Sequence, residues 1–144
     1  MLSRKAQYAF RALTHLVDNY DEGPILISEI SKKKHIPLKF LENILLEMKR
    51  EGILDSKKGK GGGYFLKTDP SKTSIASVIR VVDGPIALLP CVSLNFYERC
   101  KNCDEKNCGL HNIMEKVRDA TLNVLEHRTI KDLGSGKEKR VPVR

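Results

Sequence analysis

The chain has 144 residues, enough for one domain with a modest core. Lysine and arginine outnumber aspartate and glutamate by 26 to 18, and the net charge of +8 favours a polyanionic partner. No apolar run approaches the roughly 20 residues that span a bilayer, and the N-terminus lacks a secretory signal pattern, so we expect a cytoplasmic protein with reduced thiols rather than a membrane protein.

The first predicted element is an amphipathic helix over residues 3–19. Ser3 is available as its N-cap, because a serine hydroxyl can accept a hydrogen bond from the first turn. We expect this helix to pack beneath the elements that follow. Its apolar stripe consists of Ala6, Ala9, Phe10, Leu13, Leu16 and Val17.

Two short helices joined by a tight turn are predicted within residues 25–51. Ile27 and Ile30 lie three apart on one face of the first helix. Pro37 ends that helix, because proline pushes the preceding residue out of the α region, and it can open the second helix over residues 37–51. The buried stripe of the second helix is Leu41, Ile44, Leu45 and Met48.

The opposite face of the second helix is polar and carries Lys39, Glu42, Asn43 and Lys49. Two helices joined by a turn of three or four residues, the second with polar groups near its start, match the helix-turn-helix that places a helix in the DNA major groove.

A glycine-rich hairpin is predicted directly after the second helix, with strands at 53–54 and 64–66 and a loop at 57–63. Glycines let the backbone approach a phosphate chain, and lysines neutralise phosphates. A solvated hairpin with lysines that only keep its edge soluble is the alternative. The preceding helix-turn-helix favours a DNA-binding wing with Lys57, Lys58, Lys60, Gly61 and Gly62.

A short helix completes the N-terminal unit. Ser74 is its candidate N-cap, and residues 83–85 end it. The sequence thus predicts a mainly α fold with a small β-hairpin wing, in which residues 1–84 form a winged helix-turn-helix domain. The buried face of this helix is Ile75, Val78, Ile79 and Val82.

Residues 85–111 form a predicted sensor loop that contains all four cysteines of the chain. The pattern is Cys91-x8-Cys100-x2-Cys103-x4-Cys108, with His111 three residues later. Soft thiolates on a short irregular loop suit zinc or an iron-sulfur cluster. A pair of cysteines that forms a disulfide under oxidation, and cysteines that serve only as core hydrophobes, are the alternatives.

A long amphipathic helix is predicted over 112–128, with one more turn at 129–133. It follows a finished domain, so pairing with a second copy is the economical way to cover its apolar side, and folding back on the first helix is the alternative. Residues 134–144 are predicted to be a disordered basic tail. The predicted dimer contacts are Ile113, Val117, Ala120, Thr121, Val124 and Leu125.

Together these segments resemble the family of bacterial winged-helix regulators that includes IscR, NsrR and CymR (the Rrf-two family). The resemblance covers nearly the whole chain. It implies a homodimer that binds a pseudo-palindromic operator in double-stranded DNA, mostly as a repressor, and often with a [2Fe-2S] or [4Fe-4S] cluster as sensor. The segments that carry it are LSRKAQYAFRAL, ISEISKKKHIPLKFLENILLEMKREGIL, SKKGKGGGYFL, SIASVIRVVDGP and the loop ending in CGLH.

The resemblance also implies roles for particular residues in DNA binding. Lys58 stands where a wing arginine of the family enters the minor groove. The positions that resemble the base readers of the family are Lys39, Phe40, Glu42 and Asn43.

For the cluster, the IscR-like pattern maps onto Cys91, either Cys100 or Cys103, Cys108 and His111, and it favours [2Fe-2S] over [4Fe-4S]. The chain departs from that pattern, since the first interval is longer and there is a fourth cysteine. Either one cysteine is spare or the histidine is not a ligand. The nitric-oxide sensors use an aspartate in the first helix where this chain has Gln7, which makes that subtype less favoured.

No nucleophile-base arrangement or phosphate-binding loop is present in the sequence, so an enzyme is not predicted. Two regulatory functions remain. One is a DNA-binding regulator with a cluster or thiol sensor. The other is a cofactor-free regulator controlled by a partner protein, in which the cysteine loop binds zinc or forms a disulfide.

Overall fold

The computed structural model describes residues 1–134 of the chain, so the predicted basic tail lies outside the described residues except for Gly134. This part is mainly helical, with one antiparallel hairpin. None of its helices is both long and apolar enough to cross a bilayer. The helices are α1 (Arg4–Asp18), α2 (Ile27–Lys34), α3 (Leu38–Arg50), α4 (Ile75–Val82) and α5 (Gly109–Leu125), and the strands are β1 (Leu54–Lys57) and β2 (Gly63–Leu66). Short 3-10 turns lie at Tyr20–Glu22, Pro70–Lys72, Pro90–Val92, Glu105–Asn107 and Ile130–Leu133.

Two serines start helices, as the sequence predicts. Ser3 Oγ accepts a hydrogen bond from the backbone N of Ala6 at 3.0 Å, and Ser74 Oγ accepts one from the backbone N of Ser77 at 3.1 Å. Each hydroxyl satisfies a donor that the first helical turn leaves unpaired. The backbone N–H and hydroxyl of Ser3 also donate to the carboxylate of Asp83, so the start of α1 is tied to the end of α4.

The turn between α2 and α3 is three residues long, as predicted. His35 ends α2 in the left-handed conformation with φ +53°. Two hydrogen bonds between Ser31 and Ile36 close the turn. The Ser31 carbonyl accepts from Ile36 N at 3.1 Å, and the Ser31 hydroxyl donates to Ile36 O at 2.6 Å. The buried Ile36 side chain then fixes the turn against the core.

The predicted apolar face of α3 forms the centre of the core. Its side chains are at most 1% exposed, and α3 packs against α1, α2, β1 and α4. Burying one leucine-sized side chain contributes about 1.5–3 kcal/mol, so rotation of α3 about its axis is strongly opposed. These side chains are Leu41, Ile44, Leu45 and Met48.

The hairpin is held against the start of the helix-turn-helix by a bridge that the sequence analysis did not predict. β1 and β2 pair in a register that places Lys57 opposite Gly63. Ile25 then pairs with Tyr64, and two backbone hydrogen bonds of 2.9 Å join them. The wing is therefore part of a small sheet rather than a free hairpin.

The last described turn, Ile130–Leu133, returns to the N-terminal unit. Ile75 N donates to Arg128 O at 2.8 Å, and Ile130 N donates to Thr73 O at 2.9 Å. Ile130 is 1% exposed and belongs to the main core. The predicted extra turn is confirmed, and it contributes to the core of the winged domain.

The last long helix begins three residues earlier than predicted, at Gly109 rather than 112, and ends at Leu125 rather than 128. Cys108 is its N-cap, and the Sγ atom accepts from the backbone N of His111 at 3.4 Å. Sulfur is a weak acceptor and cysteine is not a common cap, so no start signal is recognisable at this position.

Gly63 provides a test of the bridge between the wing and Ile25. A Cβ atom there would lie 2.3 Å from Ile25 O, and the residue has φ +144°. We expect Gly63→Ala to lower the free energy of unfolding by at least about 2 kcal/mol, because it adds both strain and a backbone clash.

Urea unfolding followed by circular dichroism measures this change. Gly109→Ala is the matched control, because a Cβ atom there meets nothing within 4 Å. It should be neutral or stabilise by up to about 1 kcal/mol. Equal midpoints for the two variants would show that the bridge does not need glycine.

Candidate nucleic-acid interface and cysteine loop

The predicted DNA-contacting side chains of α3 lie together on its solvent face, near its start. The apolar side chains of α3 face the core, so this outer surface is the one that α3 can offer to a groove. In the described part of the chain, no ion pair is formed by Lys39 or Glu42. The exposed residues are Lys39, Phe40, Glu42 and Asn43.

Lys49, which the sequence placed on the same outer face, is directed at the wing instead. It is half-buried, and its Nζ atom donates to Ser56 Oγ of β1 at 2.6 Å. The contact joins the end of α3 to the first strand of the wing, so Lys49 links these two elements.

The wing tip exposes Lys57, Lys58, Lys60 and Gly61. The three lysines form no ion pair within residues 1–134. By contrast, Lys5 of α1 lies 2.6 Å from Glu47 and is neutralised. The wing therefore carries uncompensated positive charge beside the exposed face of α3, as a phosphate-binding surface requires.

Gly62 differs from the other wing residues, because it is buried. Its backbone N donates to Gly59 O at 3.0 Å, and a Cβ atom would lie 2.3 Å from Lys57 O. A glycine is needed here to close the loop, which is a packing reason that the sequence analysis missed.

α1 contributes aromatic and cationic side chains beside α3 that the sequence analysis also missed. The rings of Tyr8 and Phe40 meet edge to face, with centroids 6.0 Å apart and planes at 74°. The guanidinium carbon of Arg11 lies 5.6 Å from the centre of the Tyr8 ring. No motif signalled this cluster, because the contact joins residues that are about thirty positions apart.

The predicted metal ligands lie in one neighbourhood. His111 Nδ1 lies 3.5 Å from Cys91 Sγ, and the His111 backbone N lies 3.4 Å from Cys108 Sγ. The Cys103 thiol neighbours those of Cys100 and Cys108, and these two thiols also help to raise the pKa of Cys91. Within residues 1–134, no three His, Cys, Asp or Glu side chains converge as a closed metal site.

The electrostatics of the loop favour protonated thiols. Partial burial raises the pKa of the Cys91 thiol, and the nearby Glu105 carboxylate raises it further. Partial burial and the neighbouring Cys108 thiol raise the pKa of Cys103 to about 11. A bound metal centre would have to displace these protons, and its positive charge can do so. The donor set, thiolates with an imidazole, fits zinc or an iron-sulfur cluster.

The loop is fastened to α5 by one polar contact, and a second contact joins two residues of the loop itself. Arg118 Nη1 donates to Val92 O at 2.7 Å, and the Val92 side chain is buried. Tyr97 Oη donates to Glu105 Oε1 at 2.7 Å, which raises the pKa of Tyr97. The loop is thus connected to the same helix that carries the predicted dimer contacts.

Most of the predicted dimer contacts form an uncovered stripe on α5. Exposures reach 57% for Ile113, 37% for Val117 and 56% for Val124. Ala120 and Thr121 are also exposed, and so is Leu110, which the prediction omitted.

Two leucines of α5 face the body of the protein instead. Leu122 is buried and was missed by the prediction. Leu125, a predicted dimer contact, is half-buried and lines a groove of about 620 Å³ with Leu2 and with Val117 and Thr121 of the stripe. The helix therefore partly folds back on its own chain and leaves its apolar stripe for another surface.

Comparison with known proteins agrees with this fold. Residues 2–136 match the Rrf2 family, described as iron-dependent transcriptional regulators. The Rrf2-like helix-turn-helix transcriptional regulator of Rhodobacter capsulatus is 36% identical over 137 residues, which covers 92% of this chain and 91% of that protein. The transcriptional regulator IscR of Escherichia coli O1:K1 is 28% identical over 137 residues, which covers 95% of this chain and 82% of that protein.

A solved structure has the same architecture. The structure of CymR, the global cysteine regulator of B. subtilis, is 25% identical in sequence and has a TM-score of 0.78. The comparison covers 96% of this chain and 98% of that chain. Mainly helical with a two-stranded wing and a long C-terminal helix, the chain belongs to the Rrf2 (Rrf-two) family, whose members are DNA-binding transcriptional regulators and not enzymes.

Proposed function

We propose that the chain is a homodimeric repressor whose binding to a pseudo-palindromic operator is modulated by an iron-sulfur cluster or the thiol state of residues 91–111. The observation that carries this proposal is the position of the cysteine loop at the start of α5. Cys108 caps the same helix that carries the exposed apolar stripe, so a change in the loop acts on the proposed dimer contact.

In this proposal α3 enters the major groove and the wing contacts the neighbouring backbone. Lys39 and Asn43 are the proposed base readers on the exposed face of α3. An asparagine amide can form two hydrogen bonds with adenine, and a lysine can donate to guanine. Lys58 and the other wing lysines neutralise phosphates, and this contribution depends on salt concentration.

The uncovered stripe of α5 is the proposed dimer contact. Two copies of the same helix can bury this stripe against each other in a two-fold arrangement. A two-fold dimer also explains how two recognition helices would read the two half-sites of a pseudo-palindrome. The dimer is therefore required for the proposed mode of operator binding.

The proposed cluster ligands are Cys91, either Cys100 or Cys103, Cys108 and His111. When bound, a cluster supplies covalent links between the parts of the loop, and these links respond to oxidation and to iron supply. We prefer [2Fe-2S] to [4Fe-4S] because of the resemblance to the IscR pattern. To change the operator-competent fraction from 1% to 99%, ligation would have to favour one arrangement by about 5.5 kcal/mol.

A second function is favoured by the proximity of the Cys100, Cys103 and Cys108 thiols. In this alternative the regulator has no cluster, the loop binds zinc or forms a disulfide, and a partner protein controls DNA binding. The likeness to the CymR structure supports the alternative as well.

The DNA-binding proposal predicts different effects for Lys58→Ala and Asn43→Ala. Lys58→Ala should weaken binding to every duplex and reduce the log-log salt slope by about one unit. Asn43→Ala should relax preference at particular base pairs, at a cost of roughly 1 to 3 kcal/mol on the preferred sequence.

Titrations of a duplex selected by the parent protein and of a shuffled duplex at several salt concentrations measure both effects. Lys72→Ala is the control for charge, because Lys72 lies on the turn that packs against Ile130–Leu133 and not on the wing. An equal loss on both duplexes after Asn43→Ala would remove Asn43 from the base readers.

The dimer proposal predicts that Val124→Glu produces monomers. An unpaired carboxylate in the buried contact would lose its solvation without compensation. Light scattering measures the mass in solution. Asn123→Glu adds the same charge one residue away, about 100° around the helix, and should stay dimeric. A Val124→Glu variant with the mass of the parent dimer would place the interface elsewhere.

The cluster proposal predicts a visible chromophore after anaerobic reconstitution with iron and sulfide. Each cysteine is changed singly to alanine. At least three of the four single variants should lose the chromophore, because each of them lacks one thiolate ligand. Absorption spectra and binding to the selected duplex are recorded for each variant, and Lys101→Ala serves as a loop control that keeps the chromophore.

If the chromophore is lost in only three of the cysteine variants and in His111→Ala, the remaining cysteine is the spare one and the histidine is the fourth ligand. A parent protein without a chromophore, or with one that no change affects, would support the cofactor-free alternative. Zinc analysis and thiol counting before and after oxidation then distinguish the zinc form from the disulfide form.

A further inference from the structure

Arg11 of α1 is an exposed cation beside the face that α3 offers to DNA. Within residues 1–134 it forms no ion pair, whereas Lys5, on the same helix, is paired with Glu47. Its guanidinium is held over the ring of Tyr8 at 5.6 Å. A guanidinium stacked on an aromatic ring keeps its N–H donors free at the edge of the plane.

Tyr8 connects this guanidinium to the proposed recognition surface. The tyrosine is half-buried against the core, and its ring meets Phe40 edge to face at 6.0 Å. Phe40 lies next to Lys39 on the exposed face of α3. The Arg11–Tyr8 and Tyr8–Phe40 contacts therefore limit how far Arg11 lies from the exposed face of α3.

The contacts of 5.6 Å and 6.0 Å, laid end to end, do not exceed the width of the major groove. The major groove is about 12 Å wide, and phosphates line both of its edges. A guanidinium within that separation of Phe40 can reach a phosphate at an edge of the groove when Phe40 lies inside it. Arginine suits such a position, because its planar donors can bind two phosphate oxygens at once.

We propose that Arg11 binds a phosphate at the edge of the groove that α3 occupies, and that Tyr8 is the residue that positions it. This inference rests on the proposed insertion of α3 into the major groove. It extends the interface beyond the helix-turn-helix and the wing to the first helix. Tyr8 also contacts Phe40, so the same ring positions Arg11 on one side and Phe40 on the other.

The test compares the salt dependence of binding to a duplex selected by the parent protein. Arg11→Ala should weaken binding at least about tenfold at moderate salt and lower the log-log slope by about one unit. Arg11→Lys keeps the charge and should retain the slope. Tyr8→Phe keeps the ring and should resemble the parent, whereas Tyr8→Leu should lose part of both affinity and slope.

Lys72→Ala removes the same charge from the Pro70–Lys72 turn, which belongs to neither α1 nor α3, and should leave the slope unchanged. Thermal unfolding of each variant tests whether a Tyr8 change acts only through stability, since a stability change alone does not alter the salt slope of the folded fraction. Equal slopes for Arg11→Ala, Lys72→Ala and the parent would overturn the inference. A parent protein that selects no duplex at all would overturn the proposed function and this inference together.

Discussion

The burial of one side of α3 is the constraint on which the rest of the structure depends. Leu41, Ile44, Leu45 and Met48 are buried, and α3 packs against α1, α2, β1 and α4, so α3 cannot rotate without losing core contacts on several sides. The outer face is fixed as a consequence, and short polar side chains there can be aimed at base edges. The wing is held in place by hydrogen bonds, from its second strand to Ile25 and from its first strand to Lys49.

The second half of the chain joins three roles in one short segment. Cys108 is a candidate ligand, it caps α5, and α5 carries an apolar stripe that its own chain does not cover. In the Rrf2 family, DNA binding is the shared function, and this loop is where the chain departs from the IscR-like cysteine spacing. A sensor placed here would act on the proposed contact between subunits rather than on α3 directly.

The helices, the serine caps of α1 and α4 and the wing were predictable, because each depends on local chemistry, whereas the start of α5 at Cys108 was not. Apolar spacing located α3, and serine hydroxyls located the starts of α1 and α4. The missed features depend on contacts between distant residues, such as the pairing of Ile25 with Tyr64. Leu122 was missed because both sides of α5 are apolar, and periodicity alone does not tell which side meets the same chain. The tight space around Gly62 is likewise absent from a sequence pattern.

The return of the chain to α4 after α5 has a mechanical consequence. Hydrogen bonds from Ile75 to Arg128 and from Ile130 to Thr73 hold one end of α5, and Ile130 anchors that end in the core. The helix has 17 residues and is about 25 Å long. The cysteine loop lies at the opposite end of α5 from this anchor. A rotation of α5 by a few degrees about the anchored end would therefore move the loop by one or two ångströms and leave the anchored end almost still.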